Sequence, residues 1–396
     1  MRARTLNQIV SAARSYSTTT TTITTASTSP QRKNLVGLSL DQLQHELETH
    51  VSDHRSFTGL QIWKHMYQQG ITTFDNMTTL SRSLRSYLSD HYVVDYGQVK
   101  LDRTARDETR KWLVGYDDPR AVVEMVMIPE PSRNTLCVSS QIGCSLNCSF
   151  CHTGTQKLLR GLTAAEVVGQ YMIAAHRAGD FPRTSANHKR NLSNIVFMGQ
   201  GEPLYNWRQV SQAIRVLTDE RGIAFPKPKI TVSTSGVVPL IPKVGSELGV
   251  SLAISLHATR DSLRDELVPL NKTFPLESVL EACKEYAQQK QNRDRRITFE
   301  YVMLDGVNDS IQDASRLVKI LRDLPAHVNL IPFNPWPGTK YRTSTNAQVD
   351  AFEKRVIQGG IFCSVRRPRG SDIMAACGQL KSSHESKLKA AQSSTA

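Results

Sequence analysis

Three cysteines in the stretch Cys144-Ser-Leu-Asn-Cys148-Ser-Phe-Cys151 constrain this chain more than any other feature. Thiolates at C-x3-C-x2-C spacing can hold three corners of a cubane iron–sulfur cluster and leave the fourth iron without a protein ligand. An open iron is a chemical tool rather than a structural rivet. The alternative is a structural zinc site, with His152 or another cysteine as fourth ligand. Closed zinc sites usually come as two C-x2-C or C/H pairs separated by a longer loop, and that arrangement is absent here.

With 396 residues and 39% hydrophobic content, the chain can bury one main domain and a smaller one. Its 7 cysteines are an odd number, with no secretory signal and no apolar run of about 18 residues to cross a bilayer. The expectation is a soluble protein without a membrane partner, in a reducing compartment where cysteine serves metal and redox chemistry. A formal charge of +13 and a pI near 9.5 suggest a polyanionic partner. Part of that excess lies in a leader. The first 40 residues lack Asp and Glu, carry Arg2, Arg4, Arg14, Arg32 and Lys33, and include a Thr/Ser-rich tract from Ser17 to Ser29. Such leaders read as organellar transit peptides. Arg14-Ser-Tyr-Ser17 is similar to a mitochondrial processing site, so residues 1–34 are expected to address the protein to mitochondria. A chloroplast leader is the runner-up, and a plain disordered tail would leave the protein in the cytoplasm.

Residues 35–110 read as a small helical accessory domain. Ser39 caps a helix with Leu40, Leu43 and Leu47 on one face, a second helix covers Leu60–Gln69 before Gly70, and a third lies near Leu80–Leu88. From 120 to 380 short apolar strands alternate with amphipathic helices. The candidate strands are Thr135–Ser139, Asn194–Met198, Lys229–Ser233, Ser251–Ser255, Ile297–Met303 and Val328–Pro332. Among the helices, Ala164–Arg177 opens with Thr163 and Glu166 as a capping box. Six β-α units in sequence imply an α/β fold, an incomplete parallel (β/α)6 barrel. Residues 381–396 form a polar tail expected to be disordered.

Functional groups of such a barrel gather at the C-terminal ends of its strands. Gly199-Gln-Gly201-Glu202-Pro203 offers glycines that admit a ligand to the backbone and a carboxylate that can accept from an ammonium. Ser233, the Ser255-Leu256-His257 strand end and Asn334 are further candidates on the same rim. Each alone is more often a cap or a core hydrogen bond. Cys137 lies on the strand that feeds the three-cysteine loop, and Cys377 lies near the C-terminus. Cys283 and Cys363 read as ordinary buried residues.

The cysteine spacing resembles that of the radical S-adenosylmethionine (SAM) superfamily. Thr135-Leu-Cys-Val-Ser-Ser-Gln-Ile-Gly-Cys144, Met198-Gly-Gln-Gly-Glu-Pro-Leu204, Ser233-Thr-Ser-Gly-Val-Val-Pro239, Glu300-Tyr-Val-Met-Leu-Asp305 and Ala376-Cys-Gly-Gln-Leu380 resemble one family within it. That family is the dual-specificity adenine-C2 RNA methyltransferases, which modify 23S-type ribosomal RNA and certain transfer RNAs. The resemblance runs from about residue 38 to 380. It implies a 4Fe-4S cluster on Cys144, Cys148 and Cys151, with SAM bound by Gly201, Glu202, Ser233, Ser255, Leu256, His257 and Asn334. It also implies a ping-pong scheme. One SAM methylates Cys377, and a second is cleaved at the cluster to a radical that takes hydrogen from the S-methyl group. The carbon radical adds to adenine C2. Cys137 then helps remove the C2 proton and resolves the adduct as a Cys137–Cys377 disulfide, which a thiol reductant reopens. Glu124 matches the position assigned as general base. A low-potential electron donor such as ferredoxin or flavodoxin is implied, and a monomer is expected. For RNA contact the sequence offers Arg366, Arg367 and Arg369, and His188-Lys189-Arg190. The competing readings are a C8-methylating relative and a non-enzymatic RNA-binding protein with a structural metal.

Overall fold

The computed structural model describes residues 32–52, 54–183, 189–292 and 295–381. Most of the leader, His188 and the tail from residue 382 lie outside the described residues. Ten strands form one sheet whose spatial order is the order of the chain. They are β1 (Gln98–Thr104), β2 (Arg110–Gly115), β3 (Val122–Glu130), β4 (Arg133–Cys137), β5 (Leu192–Phe197), β6 (Ile230–Thr234), β7 (Ser251–Ser255), β8 (Ile297–Met303), β9 (Ala326–Pro332) and β10 (Phe362–Val365). Every neighbouring pair from β4 to β10 is parallel, and β1 to β4 are joined antiparallel.

Parallel crossovers are right-handed. When each steps to the next position in the same direction, all the connecting helices fall on one face and the sheet curls with its other face inward. The strand order therefore dictates a barrel, and the edges β1 and β10 leave it incomplete. The expected parallel strands are all present, joined by a seventh, β10. Period-2 alternation sorts their side chains: Ile230, Val232, Leu252, Ile254, Ile297 and Phe299 are buried at 0–1% exposure beneath the helices. Thr135, Asn194, Thr231, Thr298 and Asn329 instead line an interior cavity of about 760 Å³.

The helical unit comprises α1 (Leu40–His50), α2 (Thr58–Tyr67) and α3 (Arg82–His91). Ser39 and Gln42 form a reciprocal capping box on α1, and Leu40, Leu43 and Leu47 are buried as their spacing requires. Thr163 and Glu166 do the same for α4 (Ala164–Arg177). Three boundaries differ from the sequence reading. Lys33 and Asn34, assigned to the leader, pair with Tyr92 and Val93. Residues 98–104, assigned to the helical unit, are the strand β1. Lys381, assigned to the tail, has its amide on the Glu124 carboxylate at 2.8 Å.

Candidate active site

The loop after β4 brings Cys144, Cys148 and Cys151 to one cavity of about 150 Å³. Backbone hydrogen bonds fix its course: Cys151 N to Cys148 O at 3.1 Å, Gly154 N to Cys151 O at 3.1 Å and Cys144 N to Gln156 O at 3.2 Å. Burial pushes the Cys144 thiol up to about 11. It also raises Cys148 and Cys151, and Cys148 is raised further by its two neighbours. Three crowded thiols that resist ionisation on their own suit a cationic iron centre, which would hold all three as thiolates. His152, the fourth ligand of the zinc alternative, is otherwise engaged. Its ring stacks on Trp336 at 4.8 Å, and Nδ1 faces the Gln379 carbonyl at 3.3 Å. Among the described residues no set of three or more His, Cys, Asp or Glu side chains closes on a single-ion site.

The Gly199–Pro203 turn forms the next wall. Gly201 has φ +94°, and a Cβ there would lie 2.4 Å from Gln141 Cβ, so only glycine fits. Glu202 lines the cavity, yet both its oxygens are bonded to backbone, Oε1 to Leu204 N at 3.1 Å and Oε2 to Ser235 N at 2.8 Å. Burial pushes its carboxyl up to about 7. Ser233, Ser255, His257 and Asn334 line the same cavity. The His257 Nδ1 accepts from Val302 N at 3.1 Å, so Nε2 carries the proton. Burial first, and Arg264 second, push that imidazole down to about 3, so it is neutral. Leu256, between Ser255 and His257, is 0% exposed in the core and is not among the residues that line the cavity.

Cys377 lies between two cavities. It lines the one bounded by the three loop cysteines and also a smaller neighbour of about 30 Å³ that holds Cys137. Both are free thiols. Cys137 packs in an apolar cluster with Val126, Ala375 and Leu380, and burial followed by Cys377 pushes its thiol up to about 12. The segment carrying Cys377 is tied to the rim. Asn334 Nδ2 donates to Cys377 O at 3.2 Å, His152 N to Gly378 O at 2.8 Å and Thr153 Oγ1 to Leu380 O at 2.6 Å. Glu124 is 3% exposed and pairs with Lys111 Nζ at 3.0 Å. Burial raises its carboxyl against the opposing pull of Lys111 and the Lys381 amide.

Residues 138–318 match the family model of the radical SAM superfamily, and 33–94 match the ribosomal RNA large subunit methyltransferase N-terminal domain. A dual-specificity RNA methyltransferase RlmN of Rhodopseudomonas palustris (strain BisB5) is 51% identical over 90% of this chain and 91% of its own. One of Gluconobacter oxydans (strain 621H) is 48% identical over 91% of this chain and 88% of its own. The chain belongs to the RlmN family of dual-specificity RNA methyltransferases. A solved radical SAM methyltransferase from Sphaerobacter thermophilus has the same fold, with a TM-score of 0.81 at 40% identity over 88% of this chain and 99% of that one. As an RlmN-type radical SAM enzyme the protein works with a 4Fe-4S cluster and SAM, and the cavity's donor set fits both. Cys144, Cys148 and Cys151 would hold the cluster, with the Glu202 wall facing SAM.

For an RlmN-type chain the basic residues divide unexpectedly. Arg366 turns inward, where the Cys377 sulfur and then Glu300 hold its guanidinium well above the usual range. Arg369 donates to Pro129 O at 2.9 Å, and Arg367 alone of the three is exposed. Arg190 donates to Ile223 O and lies 5.5 Å over the Phe225 ring, while Lys189 is exposed. Sequence reasoning also passed over Lys111, Gln200 and Arg264. Gln200 Oε1 accepts from Glu124 N at 3.0 Å and its Nε2 donates to Gln156 Oε1 at 2.6 Å, stitching β3 to the cysteine loop. The only signal for Gln200 was its place between the two glycines.

Proposed function

We propose that this protein methylates carbon 2 of adenine in large-subunit ribosomal RNA and in transfer RNA, with Cys377 as methyl carrier. One observation carries the reading: Cys377 lines both the cavity of the three loop cysteines and the cavity of Cys137. Adenine C2 lies between two ring nitrogens and is too electron-poor to attack a methyl donor, so the carbon must be delivered to it. When bound, the cluster and SAM supply a methyl group and, on reduction, a hydrogen-abstracting radical. The Cys377 sulfur takes the methyl group on one side of the wall and presents the carbon to RNA on the other. Once the adduct has given up its odd electron, Cys137 takes the C2 proton; its sulfur then attacks the Cys377 sulfur and that proton passes to the carbon as the Cys377 C–S bond breaks, releasing methylated RNA and leaving a disulfide. Arg366 lines the cavity that holds both cysteines, and its charge pulls the Cys137 thiol down against the burial that raises it.

Cys377→Ala should form neither methylated RNA nor an RNA adduct. Cys137→Ala should still accept a methyl group on Cys377 and accumulate RNA covalently bound there, visible as a nuclease-sensitive mass increase. Normal turnover by Cys137→Ala, or an adduct in Cys377→Ala, would sink the assignment. A methyl group mapped to C8 of the product adenine would replace the C2 reading. The remaining partners are a low-potential electron donor of the ferredoxin or flavodoxin kind and a thiol reductant, acting on a monomer. The leader supports mitochondrial residence.

A further inference from the structure

The antiparallel strands β1 to β3 have no part in holding the cluster or SAM, yet they meet the Cys377 segment along its length. Gly370 N donates to Asp107 Oδ2 at 3.0 Å, and Arg106 N donates to Asp372 Oδ2 at 3.1 Å. The contact at the centre is charged and buried. Lys111 and Glu124 are diagonal neighbours across β2 and β3, where Lys111 pairs with Val126 and Leu113 with Glu124. They are 7% and 3% exposed and 3.0 Å apart. Each also grips the segment. Lys111 Nζ donates to Met374 O at 3.1 Å, before Cys377. Glu124 Oε2 accepts from Lys381 N at 2.8 Å, after it. Between those grips Ala375 and Leu380 pack on Val126 and Cys137. Past the single turn Ser371–Ile373 the segment has no helix or strand of its own, so external tethers set where the Cys377 sulfur lies.

A buried ion pair is a poor source of stability, because desolvation offsets its attraction and an apolar pair of similar volume does as well. This one also satisfies two part-buried backbone groups of the segment. Glu124 lines neither the cavity of the three loop cysteines nor that of Cys137, so its carboxylate faces the Cys377 segment rather than the space a substrate would fill. We propose that the Lys111–Glu124 pair is a clamp that places the Cys377 sulfur at the wall between the two cavities, and that Glu124 is a positioning residue rather than the base for the adenine C2 proton. The proposal rests on the reading of Cys377 as methyl carrier.

The test replaces the clamp by apolar groups in the full chain, as Lys111→Met/Glu124→Leu, beside Lys111→Met and Glu124→Ala. The double variant removes both charges together, so it should fold and keep its iron and sulfide content. Mass spectrometry of the Cys377 peptide after incubation with SAM should show S-methylation slowed by about tenfold or more, as displacement of a reacting group demands. Hydrogen exchange over residues 374–381 should accelerate by about tenfold or more in protein without SAM, because the segment has lost the anchor at each of its ends. No RNA adduct should accumulate. A missing base gives the opposite pattern: Cys377 methylated at the wild-type rate, exchange unchanged and RNA adduct trapped in Glu124→Ala. That pattern, or wild-type methylation in the double variant, overturns the clamp. Absence of S-methylation on Cys377 in the wild-type protein would instead overturn the carrier reading, and the clamp with it.

Discussion

Glu202 faces the cavity with a carboxyl that both oxygens bind to backbone amides and that burial has pushed up to about 7. Those amides favour the ionised form, but burial outweighs them. The sign follows from linkage: a raised carboxyl contributes stability in acid, and that contribution is lost as pH climbs through 7. An arriving ammonium group reverses the balance by favouring the carboxylate, so binding expels a proton. SAM affinity should therefore fall as pH drops below 7, approaching about tenfold per unit. Glu202→Gln should bind more weakly and with a flat profile. Equilibrium dialysis across about pH 5.5 to 7.5 checks this, and a pH-independent affinity in the wild-type protein would rule it out.

At the scale of elements, the strand ends of the rim are held together by Arg264 on the short helix α5 (Asp261–Leu267). Its side chain is 0% exposed. Nε donates to Leu256 O at 3.0 Å, and the terminal nitrogens reach Ser235 O at 2.6 Å, Ser255 O at 3.2 Å and Asn271 Oδ1 at 2.9 Å. A planar fork spans the ends of β6 and β7, which a lysine cannot do. Arg264→Met should cost about 3–5 kcal/mol, because several acceptors are left buried without donors. Arg264→Lys should recover little. Thermal denaturation measures both, and a melting temperature within about 2 °C of wild type for Arg264→Met would exclude the role. The parallel strands were legible because their apolar residues cluster between turn signals, and the three loop cysteines because spacing alone carries their chemistry. Arg264 was not, since an arginine in Asp261-Ser-Leu-Arg264 reads as a solvated helix face. β2 and β3 escaped for a related reason. Lys111 and Glu124 break the apolar pattern, and no local rule says that two charges far apart in sequence will neutralise each other inside. β10 is only Phe362–Val365, too short to stand out.

At the scale of the whole molecule, the net charge of +13 overstates the basic surface. Arg2, Arg4 and Arg14 lie outside the described residues, while Arg264 is fully buried and Arg366 lines the cavity of Cys137. The Arg366-Arg367-Pro-Arg369 run looked like a phosphate-binding cluster in the sequence, but its three arginines take separate paths that only tertiary structure sets. The leader has its own expected outcome. Because Lys33 and Asn34 already pair with Tyr92 and Val93, a chain starting at Arg32 should keep full activity in vitro. Residues 1–31 fused to a fluorescent reporter should carry it to mitochondria. A reporter left in the cytosol would reject that address.

The sheet's strict chain order governs how the enzyme comes into being. Cys144, Cys148 and Cys151 stand early in the barrel, and the Cys377 segment meets their loop from far along the chain: His152 and the Gln379 carbonyl it faces are 227 residues apart. Before that segment docks, the barrel is a basin without its Cys377 wall, and the three loop cysteines are open to whatever delivers iron and sulfide. A chain cut before Gly370 should therefore still fill with cluster, by iron and sulfide content, while having no sulfur to carry a methyl group.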